Sequence, residues 1–316
     1  MAEKKIIAVV GATGAQGGGL VRAIQADAGG GFTARAITRD VNSDKAKALA
    51  KLGAEVVAAS VDDEASLAKA FNGAYGAYCV TFYWDHMSPE RELDEARKLA
   101  AAAKSAGLKH VIWSTLEDTR TWVPLSDDRM PTLMGRYKVP HFDAKGEANR
   151  FFTEMGVPTT FFYASFYWEN LIFFGMGPKK GPDGKLVFAL PMAGKKMGGI
   201  GAEDIGRCAY GILKKGSEYI GKHTGVAGEV LTTKEMADAL SSALGQPVGY
   251  AEPTWAQFRA LGFPGADDLG NMFQFYAEFE NVVNGRRSVA ESRALNPQLQ
   301  NFAQWLAANK SRIPLG

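Results

Sequence analysis

A glycine-rich stretch near the start of the chain, AVVGATGAQGGGLVRAI at residues 8–24, constrains the fold more than any other feature. Gly11, Gly14 and Gly17 lie three residues apart, after the β-branched run KKIIAVV and before apolar residues at helical spacing. This pattern predicts a buried strand, a tight turn and a helix. Glycine lets the backbone of such a turn approach an anion, and the helix dipole favours negative charge there. A flexible N-terminal turn is the alternative, but the flanking strand and helix favour a pyrophosphate cradle.

Strand and helix patterns alternate through the first half of the chain. Strands are predicted at residues 33–38 and over AEVVAAS, AYGAYCVTF, HVIWST and VPTTFFYA, and a long helix is predicted after Ser88 as its N-cap. Because parallel strands need crossover connections, the alternation predicts an α/β fold with a Rossmann-type doubly wound parallel sheet. We predict this dinucleotide-binding domain over residues 1–164. Residues 165–316 are predicted to form a smaller α+β domain on the substrate or partner side, with segments that can return to the Rossmann sheet.

Composition argues against several classes of protein. Lys and Arg total 36 against 34 Asp and Glu in 316 residues, so the net charge of +2 gives no reason to expect nucleic-acid binding. Two cysteines, Cys79 and Cys208, cannot form a disulfide scaffold and are predicted to be buried and inert. This favours a cytoplasmic location, with nuclear shuttling left open. No apolar run reaches the roughly 18 residues of a membrane span, and no metal-ligand spacing of His, Cys and carboxylates is present, so no metal is predicted.

The end of the second predicted strand, ITRD, decides between the two nicotinamide dinucleotides. NAD-binding folds place an acid there to bond the ribose 2′-hydroxyl, whereas NADP-binding folds place a cation. Arg39 occupies that position, and its guanidinium can hold a 2′-phosphate through two hydrogen bonds, so NADP is predicted. The alternative is an arginine that only faces solvent, and Asp40 and Asp44 weaken the prediction slightly. Asp62, after the third strand, is predicted either to contact adenine or to cap a helix.

Several motifs in order resemble the NmrA-like family, atypical members of the short-chain dehydrogenase superfamily. They are GATGAQGG, AITRD, VTFYW, HFDAKGE, GVPTTFFYASFYWENL and LGFPGADDLGNMFQFYAEF. The resemblance runs from about residue 5 to about residue 308 and is closest to the animal redox sensor of that family. It implies NADP(H) binding, with the glycine turn on the pyrophosphate and the arginine on the 2′-phosphate. The residues so implied are Gly11, Thr13, Gly14, Ala15, Gln16, Gly17 and Arg39. After Arg39 this chain has DVNSD where the sensor has further basic residues, so a softer NADP preference is expected.

Active short-chain dehydrogenases carry a Tyr-x3-Lys pair on a helix. The lysine lowers the tyrosine pKa and holds the nicotinamide ribose, while the phenol donates a proton. The matching stretch here is HFDAK, so Lys145 is present and His141 replaces the tyrosine. Lys145 is predicted to bind the ribose, the alternative being an exposed helix lysine. His141 is a candidate general acid, or a capping or packing residue at a helix start, and Ser114 in WSTL lies in the usual region of a catalytic serine. Phe82 and Tyr83, after the fourth strand, are predicted to border the nicotinamide, and Thr81 beside them is predicted to bind the cofactor.

The glycine turn and the missing tyrosine lead to two hypotheses of function. The first is an NADP(H)-binding protein that responds to cofactor level or redox state and acts through a regulatory protein partner. This requires the two cofactor states to stabilise different conformations, for example of residues 116–140. The alternative is an NADPH-dependent reductase of a small carbonyl or quinone substrate, using Lys145 with His141 or Ser114. Neither hypothesis involves nucleic acid or a membrane directly, and the sequence indicates no oligomeric state.

Overall fold

Short strands and helices follow one another along residues 3–316, the part of the chain described by the structure, a computed structural model. The strands are β1 (Lys5–Val9), β2 (Phe32–Thr38), β3 (Glu55–Ala58), β4 (Gly76–Cys79), β5 (His110–Thr115), β6 (Thr159–Tyr163), β7 (Phe166–Tyr167), β8 (Lys179–Lys180), β9 (Leu186–Ala189), β10 (Met197–Ile200), β11 (His223–Gly225), β12 (Glu229–Leu231) and β13 (Val248–Ala251). The helices are α1 (Ala15–Ala26), α2 (Asp44–Lys51), α3 (Glu64–Phe71), α4 (Tyr83–His86), α5 (Pro89–Ser105), α6 (Pro140–Glu154), α7 (Asn170–Phe173), α8 (Ala202–Lys215), α9 (Thr233–Leu244), α10 (Trp255–Arg259), α11 (Ala266–Glu278), α12 (Glu280–Arg286), α13 (Val289–Leu295) and α14 (Phe302–Asn309). Short 3₁₀ helices cover Thr119–Thr121, Gly216–Tyr219 and Lys310–Arg312. No helix within residues 3–316 has both the length and the apolar character needed to span a membrane.

The largest sheet has the strand order β11-β6-β5-β4-β1-β2-β3. The pairings among β1 to β6 are parallel, with Val9 opposite Ala36 in β1 and β2, and Ile112 opposite Thr160 in β5 and β6. The strand order reverses between β1 and β4, and in such sheets a crevice opens beyond the carboxyl ends of the strands at that point. The predicted α/β fold with a doubly wound parallel sheet is confirmed.

Local sequence explains several helix boundaries. Ser88 is the N-cap of α5, as predicted: its hydroxyl accepts the N–H of Arg91, and Pro89 is the first residue of the helix. Thr232 and Glu235 form a reciprocal capping box at the start of α9. These caps satisfy N–H groups that have no partner within the helix, so they place the first turns of both helices.

The polypeptide divides into two compact units, each made of three segments of the chain. The first unit comprises the residues up to Asp118 together with Ala144–Tyr163 and Ala202–Thr224, and it holds the large sheet. The second comprises Thr119–Asp143, Ala164–Gly201 and Gly225–Gly316. It contains two three-stranded sheets, with the orders β12-β10-β7 and β13-β9-β8.

Apolar side chains from the strands and from α3, α5 and α6 form the core of the first unit. Trp113 of β5 stacks on Phe152 of α6 with ring centroids 4.9 Å apart. On α1, Gly19 allows close approach of α8, because a Cβ there would lie 3.1 Å from the carbonyl oxygen of Glu203. Cys79 and Cys208 are buried, as predicted, and burial raises the pKa of both thiols far above the ordinary range. This packing anchors the strand and helix that flank the glycine turn.

Candidate functional site

The glycine turn joins the end of β1 to the start of α1, and close backbone contacts require its glycines. Gly11 has a φ of +66°, in the left-handed region, and a Cβ there would lie 2.9 Å from a ring carbon of Phe82. A Cβ on Gly17 would lie 2.5 Å from the Gly11 carbonyl oxygen, and one on Gly14 would lie 3.1 Å from the same atom. The Gly14 N–H donates to that carbonyl at 2.9 Å and closes the turn. The turn therefore brings the backbone as close to its surroundings as the sequence pattern predicts.

The start of α1 has the properties of an anion-binding helix terminus. Gly14 is its N-cap and makes no side-chain capping bond, and the first turn, which begins at Ala15, contains no acidic residue. The N–H groups of a first turn and the positive end of the helix dipole point toward the cap. Phosphate oxygens are the acceptors that bind at such an end. The residues present therefore fit the pyrophosphate of a dinucleotide.

A cleft of about 210 Å³ opens beside this turn within the first unit, and we refer to it as the glycine cleft. It lies beyond the carboxyl ends of β1, β2 and β3, next to the point where the strand order reverses. Its lining residues are Val10, Gly11, Thr13, Gly14, Ile37, Thr38, Arg39, Ala59, Val61, Asp62, Leu67, Phe82, Asp85, His86, Arg91 and Glu95. The structure thus brings together six residues predicted to bind the cofactor, from Gly11 to Phe82.

Arg39 lies directly after β2, and its side chain is 69% exposed. Its Nη2 atom is 3.4 Å from Oδ2 of Asp85, a long contact between two exposed groups. Such a pair contributes little free energy, so the guanidinium can exchange Asp85 for a phosphate that it binds through two hydrogen bonds. Asp40, the acid next to Arg39 in sequence, accepts the N–H of Asn42 at 2.8 Å and so stabilises its own loop.

Asp62 lies in the wall of the cleft and binds Arg91, a residue that the sequence analysis did not single out. Nη2 of Arg91 donates to both carboxylate oxygens of Asp62, at 2.9 and 3.1 Å, and Nε of Arg91 donates to Glu95 at 3.2 Å. The helix-cap alternative for Asp62 is wrong, because Asp63 caps α3 by accepting two N–H groups of its first turn. Arg91 escaped prediction because it is one charge among many in PERELDEARK.

Gln16 and Ser114 meet through a hydrogen bond. Oγ of Ser114 donates to Oε1 of Gln16 at 2.9 Å, and the hydroxyl of Tyr78 donates to the same oxygen. Gln16 is the second residue of α1, so donors from β4 and β5 hold the first turn of that helix. Ser114 therefore has the geometry of a residue that positions the glycine turn, and its catalytic role stays a prediction.

Lys145 on α6 directs its side chain into the first unit, where it is 11% exposed. Its ammonium group donates to Oγ1 of Thr81 at 2.7 Å and to the Thr81 carbonyl at 3.3 Å, and it forms an ion pair with Oε1 of Glu92. Three acceptors thus engage the three hydrogens of the ammonium group. The alternative of an exposed helix lysine is wrong. A role as ribose ligand requires Lys145 to exchange at least one of these partners.

Glu92 belongs to a buried group that we refer to as the Glu92 cluster: Thr81, His86, Glu92, Glu95 and Lys145. Glu92 is 0% exposed and Glu95 is 1% exposed. Nε2 of His86 lies 3.6 Å from Oε2 of Glu92 and 3.6 Å from Oε1 of Glu95, which exceeds hydrogen-bond distance. Nε2 of His86 and the Oε2 atoms of both glutamates are buried without a hydrogen-bond partner. Such orphaned atoms are rare in folded proteins and destabilise them.

Burial changes the titration of this cluster. The pKa of the Glu95 carboxyl is raised to about 7, first by removal from water and then by the negative charges of Glu92 and Asp62, while the positive charge of Arg91 acts in the opposite direction. The pKa of His86 is lowered, first by burial and then by the positive charges of Arg91 and Lys145, against the opposite effect of Glu92. A neutral imidazole and a carboxyl that titrates near neutral pH therefore lie close to Glu92.

His86, Glu92 and Glu95 are also the residues, within 3–316, whose ligand atoms lie within 4.8 Å of one another as a metal site requires. The tautomer of His86 argues against such a site. The Ser88 N–H donates to Nδ1 of His86 at 3.0 Å, so the neutral ring carries its proton on Nε2, the atom that faces the carboxylates. A metal ligand needs a lone pair at that atom. These residues do not fit a resident metal, and the lack of a metal stays a prediction.

His141, at the start of α6, belongs to the second unit and pairs with Asp268 of α11. Its Nδ1 lies 2.6 Å from Oδ1 of Asp268, and its backbone N–H donates to Oδ2 at 3.1 Å. Both side chains are buried. A carboxylate in this position orients an imidazole ring. Asp268 lies 127 residues further along the chain, so no local spacing predicted the pair.

Comparison with known proteins supports the α/β fold with a doubly wound parallel sheet. The chain matches the model of the NmrA-like family over residues 3–306. The NmrA-like family domain-containing oxidoreductase ptmS of Penicillium ochrochloron is 27% identical over 315 residues, which cover 93% of this chain and 90% of that protein. The crystal structure of NmrA, a negative transcriptional regulator, in complex with NADP superposes with a TM-score of 0.77 and 23% identity, over 97% of this chain and 95% of that chain. Citrobacter sp. triphenylmethane reductase complexed with NADP(H) gives a TM-score of 0.73 and 17% identity, over 96% of this chain and 99% of that chain.

These likenesses agree with the motifs found in the sequence. The two solved structures share the fold, and the family match extends over nearly the whole chain. The resemblance drawn from the glycine turn, HFDAKGE and the later motifs is therefore confirmed, and the chain belongs to the NmrA-like family.

Proposed function

We propose that this chain binds NADP(H) in the glycine cleft. The observation that carries the proposal is the glycine turn, where Gly11 and Gly17 leave no space for a Cβ, Gly14 caps α1, and the first turn of α1 contains no acidic residue. Arg39 adds a cation on the rim of the same cleft whose present contact is long and exposed. The NADP and NADP(H) complexes of the two structural relatives support the same class of ligand.

The residues of this chain would bind and orient the cofactor. The N–H groups at the start of α1, from Ala15 onward, would hold the pyrophosphate, and Arg39 would hold the 2′-phosphate. Phe82, whose ring packs on Gly11, would give the cleft an apolar wall. Lys145 would donate to the nicotinamide ribose after giving up one of its internal acceptors. The bound cofactor supplies hydride chemistry.

Calorimetric titration with NADPH and NADH tests this proposal. We expect tighter binding of NADPH, and Arg39→Ala should narrow the difference by about 1–3 kcal/mol, since it removes charged hydrogen bonds to the 2′-phosphate. Arg150→Ala, at an exposed arginine outside the cleft lining, is the matched control and should leave the difference unchanged. Equal affinities for the two cofactors in the unmutated protein would contradict the NADP assignment.

We further propose that the chain acts as a cofactor-level or redox sensor that works through a protein partner. A phenol is missing at residue 141, and the Lys145 ammonium is engaged by Thr81 and Glu92. General acid catalysis contributes roughly 10²–10⁴-fold to a rate, so reduction without the usual donor should be slow. The pyrophosphate cradle is intact nevertheless, which favours binding as the retained property.

Two measurements test the sensor proposal. NADPH oxidation should be slow across a panel of aldehydes, ketones and quinones, and His141→Phe should not change that residual rate. Regulation also requires the protein to distinguish cofactor states, because a ligand shifts an equilibrium only by its differential affinity. Hydrogen exchange should therefore differ between protein saturated with NADPH and with NADP⁺. Identical exchange in the two states would reject the sensor.

The second candidate is an NADPH-dependent reductase of a small carbonyl or quinone, and the His141–Asp268 pair favours it. Asp268 fixes the orientation of the His141 ring, as a general acid requires. Relatives such as ptmS are named oxidoreductases, which supports the same candidate. Rapid turnover that falls by orders of magnitude in both His141→Phe and Asp268→Asn, with cofactor affinity retained, would establish this function in place of the sensor.

A further inference from the structure

The Lys145 ammonium is the positive charge that directly contacts Glu92. Glu92 has no exposed surface, and its Oε1 atom accepts hydrogen bonds from both the Lys145 ammonium and the Thr81 hydroxyl. If Lys145 turns toward a cofactor ribose, it must give up at least one of three acceptors, and Glu92 is the charged one. A buried carboxylate that loses its cation is strongly destabilised.

The atoms on the other side of Glu92 provide a place for a proton. Oε2 of Glu92 and Oε2 of Glu95 are both buried without partners, and Nε2 of His86 is directed between the two carboxylates. Because His86 accepts the Ser88 N–H at Nδ1, its neutral ring already carries the Nε2 proton. A further proton therefore goes to a carboxylate oxygen, where the new O–H group can donate to an orphaned acceptor.

We propose that binding of the cofactor ribose by Lys145 is coupled to uptake of one proton from solvent by the Glu92–Glu95 pair of the Glu92 cluster. Glu92 then acts as a positioning residue for Lys145, and Glu95 makes its release possible. The inference rests on the proposed function, because it needs NADP(H) to reach Lys145. An O–H bond forms on one of the two carboxylates, which keeps the buried charge nearly constant when the ammonium leaves.

The surrounding charges favour this exchange. Besides its own His86 and Lys145, the cluster is faced by the charges of Asp62 after β3, Asp85 of α4 and Arg91 of α5. Arg91 donates to both Asp62 and Glu95, so its single charge is shared between two carboxylates. Departure of Lys145 would leave Glu92 without its cation, while Arg91 already contacts Asp62 and Glu95. Protonation of one carboxyl removes the excess negative charge without a rearrangement of the side chains. Glu95 already titrates near neutral pH.

Calorimetry in buffers of different ionisation enthalpy measures the proton directly. NADPH would be titrated at about pH 8 in phosphate and in Tris, and the slope of binding heat against buffer ionisation heat gives protons taken up. At that pH the 2′-phosphate, with a second pKa of about 6, is already ionised and contributes little. We expect uptake of about 0.5–1 proton per NADPH, with affinity that falls by up to tenfold per pH unit above this pH.

Matched variants locate the proton. Glu95→Gln removes the carboxyl whose pKa is raised to about 7, so it should reduce the uptake at about pH 8 to near zero while NADPH still binds. Glu92→Gln removes the buried negative charge that Lys145 would leave behind, so it should also reduce the uptake. Glu90→Gln, at an exposed position of the same helix, should retain the uptake of the unmutated protein. Equal binding heats in phosphate and in Tris would mean that no net proton is taken up. This result would overturn the inference but not the proposed function. If the unmutated protein did not bind NADPH at all, the proposed function itself would be overturned.

Discussion

The glycine cleft and the Glu92 cluster lie in the same unit but hold their charges in opposite ways. In the cleft, Arg39 is 69% exposed and its contact with Asp85 is 3.4 Å long. In the cluster, Lys145 is 11% exposed and contacts Glu92, which is fully buried. The cleft therefore presents a cation that is available to a ligand, whereas the cluster presents one that already has its acceptors.

Because of this difference in exposure, the cleft is suited to recognise a dinucleotide and the cluster is suited to respond to it. Exposed ion pairs contribute about 0–1 kcal/mol, so Arg39 can exchange its partner without rearrangement of the fold. Buried pairs are strongly destabilised when one partner leaves, so a ligand that engages Lys145 must alter its neighbours. Under the proposed function, the cluster is the region where binding would change the protein, and the cleft is the region that would select the dinucleotide.

Lys145→Met should give the largest effect, because it leaves Glu92 buried without its cation. We expect the free energy of unfolding at about pH 8 to fall by about 3–5 kcal/mol, measured by urea denaturation followed by tryptophan fluorescence.

Two further variants show whether this loss comes from the pair. Lys47→Met, at an exposed position of α2, should change stability by less than about 0.5 kcal/mol. The double variant with Lys145→Met and Glu92→Met should recover most of the loss, since neither charge then remains buried. A double variant as unstable as Lys145→Met alone would mean that packing, not charge, distinguishes the cluster from the cleft.

Gly14→Val tests the cleft. The backbone of Gly14 has a φ of −90°, which valine adopts, so the fold should persist, but the side chain would lie beside the Gly11 carbonyl and at the anion end of α1. We expect NADPH affinity to fall at least a hundredfold, about 2.7 kcal/mol, by calorimetry. Gly285→Ala, a helical glycine with open space around it, is the control. Unchanged binding by a folded Gly14→Val protein would place the pyrophosphate elsewhere.

The same comparison separates what the sequence could predict from what it could not. Gly11, Gly14 and Arg39 line the glycine cleft and Gly17 packs against its turn, so a local pattern of strand, turn and helix was enough to place them there, while their binding roles stay predictions. The alternation of strands and helices predicted the parallel sheet for the same reason. Functional geometry that depends on short-range spacing is visible in a single sequence.

The cluster depends on distant parts of the chain. Lys145 lies 53 residues from Glu92, and the charges of PERELDEARK read as a solvated helix face. One signal was available: Glu92 and Glu95 lie on the stripe of α5 that continues with buried Ala96 and Leu99, and carboxylates on an apolar stripe seldom face solvent. The partner of such a carboxylate depends on tertiary packing, so sequence spacing did not reveal it.

A pH profile of stability tests the buried character of the cluster. Because the pKa of Glu95 is raised from 4.5 to about 7, the folded state binds more protons than the unfolded state between these values. Stability should therefore decrease as pH rises through this window, by roughly 1–3 kcal/mol, and the decrease should be absent in Glu95→Gln. Denaturation midpoints across this pH range provide the measurement, with Glu90→Gln as the control. A slope that survives in Glu95→Gln would assign the titration to another group.

Asp85→Asn should give the smallest effect, a small change in NADPH affinity, and it tests the exposed cation of the glycine cleft. The Asp85 carboxylate lines the glycine cleft and is the group that Arg39 contacts, at 3.4 Å. Replacing it with a neutral amide removes a competitor of the 2′-phosphate and a like charge from the wall of the cleft. Since exposed pairs are worth less than about 1 kcal/mol, NADPH affinity should rise only two- to fivefold at low salt, and the gain should shrink as salt is added. NADH, which lacks the phosphate, should gain less, and Asp94→Asn on the exposed face of α5 should change neither affinity. A gain in NADPH affinity of more than about tenfold would mean that the Arg39–Asp85 contact is a strong one. The cation of the glycine cleft would then be bound nearly as firmly as the cation of the Glu92 cluster, despite its exposure.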